Sequence, residues 1–81
     1  MDNKVIYKHI ISSLYKMLCW REEDKHWITI YDELLKEITF NHMLDPDIKG
    51  ALVVKITTLK YIDFYNFRQT IFEVMNYVDS L

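Results

Sequence analysis

Residues 25–40 read KHWITIYDELLKEITF, and this stretch decides the fold. Trp27, Ile30, Tyr31, Leu34, Leu35 and Ile38 recur at i, i+3, i+4, i+7, i+8 and i+11. That is the spacing of one apolar face on an α-helix, which turns once in about 3.6 residues. Asp32, Glu33, Lys36 and Glu37 fall on the other side and stay in water. Asp24 stands where a helix cap would accept an orphan N–H.

Upstream, residues 3–20 carry Ile6, Tyr7, Ile10, Ile11, Leu14, Tyr15, Met17 and Leu18 over about half a helical cylinder. Lys8, His9, Ser12 and Lys16 take the rest, and Asp2 or Asn3 can cap the first turn. Downstream, Asp45-Pro46-Asp47 is a helix start. Asp45 caps, Pro46 gives up an N–H that would be unbonded anyway, and Asp47 suits the positive end of the helix. Ile48, Leu52, Ile56, Leu59 and Ile62 then form a narrow stripe. The run Val53-Val54-Lys55-Ile56-Thr57-Thr58 is β-branched and could form a strand instead. Helix is the preferred reading, because a lone strand would have no partner. From Asp63, a cap, Phe64, Phe67, Ile71, Phe72, Val74, Met75 and Val78 share one broad face. Residues 46–78 can be two helices or one kinked helix. The expected fold is all-α: residues 1–81 as a single small bundle of three to four antiparallel helices, with room for dimerisation.

Composition narrows the function classes. Leu, Ile, Val and Phe make up 27 of the 81 residues, too many for a disordered chain. One Gly and one Pro are too few for an all-β fold with a turn at every hairpin, and too few for glycine-rich phosphate loops. The single Cys19 cannot make an internal disulfide, so a reducing, cytoplasmic setting is expected. No apolar run is long enough to cross a membrane, and the charged start (Asp2, Lys4, Lys8) does not read as a signal peptide. Membrane binding by the first helix would need a basic face beside an apolar one, and a core face is the simpler account of its apolar residues.

No pattern points to catalysis, and no cofactor or metal is expected. Cys19 has no local His and acid partners to form a nucleophilic pair. Cys19 and His26 lie seven residues apart across a charged loop, without a ligand spacing. Glu22, Glu23, Asp24 and His26 read as a solvated charge run. Nucleic acid is disfavoured too. A helix-turn-helix reading would use residues 46–61 as the reading helix, with Lys49, Lys55 and Lys60. Residues 21–47, however, hold three basic and eight acidic residues, and such a supporting segment repels phosphates.

The remaining signal is surplus apolar surface. Ala51, Val54, Thr58 and Tyr61 make a second stripe on the third helix, beside its core stripe. Tyr65 and Tyr77 lie at the margins of the fourth helix. Trp20 and Trp27 flank the loop 21–26, either packed on the core or exposed as an anchor pair. Glu22, Glu23, Asp32, Glu33 and Glu37 form an acidic surface able to steer a basic target. Six Tyr, four Phe and two Trp exceed what one stripe per helix can bury. The expectation is a small intracellular, non-enzymatic protein-interaction protein that self-associates as a homodimer. It would dock its apolar face on a protein partner, as an inhibitor or accessory factor of the kind phages and viruses encode.

Overall fold

A computed structural model describes residues 4–21 and 26–81. It contains α1 (Lys4–Trp20), α2 (His26–Thr39), α3 (Pro46–Thr58), a short 3₁₀ turn (Leu59–Tyr61) and α4 (Phe64–Asp79). There is no strand among the described residues. The β-branched run 53–58 is therefore helical. Its side chains still meet α-helical packing demands, because only Ile56 of the run is fully buried.

Local chemistry sets the boundaries. The Asp45 carboxylate accepts from the Asp47 backbone N–H at 2.8 Å, and Pro46 opens α3. Just before it, the Asn41 side chain accepts from the N–H groups of Met43 and Leu44 at 2.7 and 3.2 Å. That turn folds the connection back so that Leu44 enters the core. At the next corner α3 tightens into the 3₁₀ turn, and Ile62 is extended with φ −118° and ψ 160°. Asp63 then caps α4 by accepting from the Asn66 N–H at 2.8 Å. The third and fourth segments are thus two helices, not one kinked helix. The caps expected at Asp2 or Asn3 and at Asp24 lie outside the described residues.

Side-chain pairings fix an up-down-up-down order. His9 near the start of α1 pairs with Glu37 near the end of α2. Lys49 near the start of α3 donates to the Thr39 carbonyl at the end of α2 at 3.3 Å. Arg21, just past α1, donates to the Ile62 carbonyl at 3.5 Å, which brings the start of α4 to the same end. Helix α1 packs most extensively, against both α2 and α4, whereas α3 rests on α2 more than on α4. The core runs along the middle: Ile10, Leu14 and Met17 from α1; Trp27, Tyr31, Leu34 and Ile38 from α2; Leu52, Ile56 and Leu59 from α3 and its turn; Phe67, Ile71, Val74 and Val78 from α4. Tyr15 and Phe72, expected on core faces, stay largely exposed. Each lies about 140° round its helix from the fully buried Ile10 or Phe67, at about 100° per residue.

Candidate protein-docking surface

Helix α3 is not amphipathic. At about 100° per residue, Gly50 and Val54 lie within about 40° of each other, opposite Leu52 and Ile56, and Tyr61, carried through the 3₁₀ turn at about 120° per residue, stays within about 40° of Val54. Val54 is 65% exposed and Tyr61 82% exposed, and Gly50 is also at the surface. Thr58 and half-buried Ala51 flank this stripe on the side of α4, and half-buried Val53 and Thr57 flank it on the side of α2.

Two arrangements keep polar groups away from the stripe. The Thr57 hydroxyl donates to the Val53 and Val54 carbonyls at 2.8 and 3.0 Å, and the Thr58 hydroxyl donates to the Lys55 carbonyl at 2.7 Å. Both hydroxyls are therefore satisfied by the helix itself. The three lysines of the segment lean sideways onto neighbouring helices. Lys49 reaches the end of α2. The Lys55 ammonium lies 5.6 Å from the ring centre of Tyr77 on α4, and that of Lys60 lies 5.9 Å from the ring centre of Tyr31 on α2. Lys55 is half-buried, with its head over an aromatic face. Tyr31 feels the corner as well. Burial first, then the nearby Tyr61 and Asp32, raises its phenol above the ordinary value of 10.0.

The other expected contact residues are scattered. Trp27 is a correction: at 7% exposure it cannot be an exposed anchor. It shares the phase of Tyr31, Leu34 and Ile38, so its ring points inward, edge-on to Phe67 with centroids 5.2 Å apart. Trp20 does remain exposed, but at the far end of α1. It lines a groove of about 390 Å³ with Lys16, Thr29 and Ile30, between α1 and α2. Tyr77 is half-buried between α3 and α4. Tyr65 is exposed, yet twelve residues separate it from Tyr77, which places the two about 120° apart round α4. They do not share a face.

Of the acidic set, Glu22 and Glu23 lie outside the described residues. Asp32, Glu33 and Glu37 are exposed on α2. Glu37 pairs with His9, and Lys36 stands among them on the outward side, where its charge offsets part of the acidic surface. A second groove of about 290 Å³ runs past Asp32, Leu35, Lys36, Thr39 and Phe40. Among the described residues no three His, Cys, Asp or Glu side chains gather as for a metal ion, and Cys19 is exposed. Among the described residues no helix is long and apolar enough to cross a membrane.

Sequence reading missed Gly50 and Thr57 as parts of the bare face, although the helical phase of Val54 and Tyr61 includes Gly50. It also missed the two grooves, one formed where α1 stands beside α2 and the other along the last two turns of α2. No family model, no curated protein and no solved structure matches the chain.

Proposed function

We propose that this protein is a non-enzymatic docking module whose outward α3 face, centred on Val54 and ending at Tyr61, buries itself against another protein surface. One observation carries the reading. A helix on the outside of a bundle normally turns charge toward water, and α3 turns Gly50, Val54 and Tyr61 there while its lysines lean aside. Burying such a face removes apolar area from water at about 25 cal/mol per Å² and breaks no hydrogen bond of the two threonine hydroxyls. Blocking or completing a target by that contact is the work of an inhibitor or accessory factor. A reducing, intracellular setting suits exposed Cys19.

The same features count against α3 as a DNA-reading helix. A reading helix sends basic side chains outward into a groove, and here the outward sector runs from the acidic Asp47 through Gly50 and Val54 with its lysines drawn to the flanks. The test is co-purification from native lysate with wild type, Val54→Glu and Tyr61→Ser, each checked for helicity. Proteins retained by wild type and lost from both folded variants are the expected result. Equal retention by all three overturns the reading. So does a DNA mobility shift at about 50 mM salt, where electrostatic contacts are strongest, if Lys49→Glu with Lys55→Glu abolishes it.

A further inference from the structure

The bare face of α3 is self-complementary. Asp47 and Tyr61 stand seven residues either side of Val54, so each is about 10 Å from it along the axis. Asp47 offers carboxylate acceptors and is exposed; Tyr61 offers a hydroxyl donor and is the most exposed of the large apolar side chains among the described residues. We infer that the occupant of this face is a second copy of the chain, packed α3 against α3, antiparallel, about a two-fold axis through Val54. The inference rests on the docking reading above and names its partner.

A two-fold contact presents the same patch from both copies, so it is stable only if each group meets a complement at the reflected position. In this register Val54 meets Val54 on the axis. Gly50 and Ala51 of one copy lie against Thr57 and Thr58 of the other, small side chains against methyl groups. At both ends Asp47 accepts from Tyr61 of the other copy. No like charges coincide, because Lys49, Lys55 and Lys60 are held on the flanks by α2 and α4. A parallel pairing would instead set Asp47 against Asp47.

The size of the face sets the strength. The face from Asp47 to Tyr61 is about four turns, or about 21 Å, long and about 10–12 Å wide, less than the roughly 800 Å² per partner of a standard interface. The dimer therefore forms at high protein concentration and dissociates on dilution.

The experiment is sedimentation velocity across a thousandfold concentration range, with a cross-linking arm in a Cys19→Ser background. Wild type is expected to move from 9.9 kDa toward twice that mass as concentration rises. Val54→Glu puts two carboxylates on the axis and should remain monomeric with unchanged helicity. Tyr61→Phe removes two hydrogen bonds per dimer and should weaken it by roughly thirtyfold or more. Val54→Cys should form an interchain disulfide on mild oxidation, while Thr29→Cys on α2 should not. A folded Val54→Glu that still dimerises, or equal cross-linking at both cysteine positions, overturns the inference. So does a wild type that stays monomeric throughout. If, in that last case, Val54→Glu still loses a protein that wild type retains from lysate, the docking reading stands and the second-copy assignment alone falls.

Discussion

The guanidinium of Arg21 lies 5.0 Å from the ring centre of Trp27, at the end of the bundle where α1 stops and α4 begins. Phe67 offers a second face at 5.1 Å. The cation thus closes the core between two rings, held to the corner by the Ile62 carbonyl. Its buried Nε has no hydrogen-bond partner among the described residues. Two terms oppose each other here. Cation–π attraction supplies about 0.5–2 kcal/mol, and an unsatisfied buried donor costs about 1–3 kcal/mol. Packing of the stem then decides the balance. Arg21→Met, which keeps the stem, is expected to stay within about 1 kcal/mol of wild type, whereas Arg21→Ala should lose about 1–2 kcal/mol. Urea unfolding followed by circular dichroism checks both. If Met loses as much as Ala, the charge itself is needed and the packing account fails.

Phe67 tests the core. It is fully buried, edge-on to Trp27 and stacked on Phe64 with centroids 6.4 Å apart. Phe67→Ala should cost about 3–5 kcal/mol, much of the roughly 5–15 kcal/mol that holds a domain together. Because that variant is at risk of not folding, Phe67→Leu supplies a milder loss that can be measured in the same way. Leu34→Ala, from the middle of α2, should cost about 2–5 kcal/mol. An unchanged melting temperature for either alanine variant contradicts the assigned faces.

These core positions were legible because they depend on phase alone. Trp27, Tyr31, Leu34 and Ile38 repeat at helical spacing, and Asp45-Pro46 and Asp63 announce starts whose chemistry is local. The same phase separates Trp27 from Trp20, although both border one loop: Trp20 sits about 80° from the core line of α1. It also separates Tyr65 from Tyr77. What phase cannot supply is the neighbour. Whether Lys55 and Lys60 face water or an aromatic ring depends on where α4 and α2 stand, and that is a property of the packed bundle. The bare face of α3 was half visible for this reason. Val54 and Tyr61 mark it in sequence, but its lack of positive charge comes from lysines drawn aside by tertiary contacts.

Asp63 sits at the corner between the 3₁₀ turn and α4. Its carboxylate caps α4 while Ile62 is extended, and together they turn the chain between the 3₁₀ turn and α4. Asp63→Ala should lower stability by about 1 kcal/mol, and Asp63→Asn, which keeps an acceptor at the same place, should retain most of it. Thermal unfolding of the pair distinguishes a cap from a charge effect. An equal loss in both variants would assign the contribution to the negative charge at the helix start.

Tyr31 gives a pH dependence with a definite sign. Its phenol is raised above 10.0, by burial and then by Tyr61 and Asp32. In the unfolded chain the same phenol ionises first, so the folded state holds more protons above that pH. The contribution is fully present below about pH 10 and is lost as pH climbs through the raised folded value. Urea midpoints of wild type and Tyr31→Phe should therefore keep a constant gap from neutral pH to about pH 9 and diverge beyond about pH 10, with wild type falling faster. Parallel curves throughout would mean that Tyr31 titrates as it does in the unfolded chain.

Gly50 is a weak point in the scaffold that function can explain. It sits within α3, and a Cβ built on it meets nothing within 4 Å. Glycine inside a helix costs about 0.8–1.0 kcal/mol relative to alanine, so Gly50→Ala should stabilise the isolated chain by about that amount, roughly 4–8 °C in Tm. The measurement is a thermal melt at low protein concentration, where contacts between copies contribute little. A bulky replacement reads the other side of the balance. Gly50→Leu should also raise helix stability, because Leu is a good helix former and the position is open in the monomer. On the outward face, however, its side chain would occupy the space assigned to Thr57 and Thr58 of a second copy. A variant that melts higher yet no longer associates at high concentration is the expected combination. Gly50→Leu that associates as well as wild type would show that close approach at Gly50 is not what keeps a glycine there.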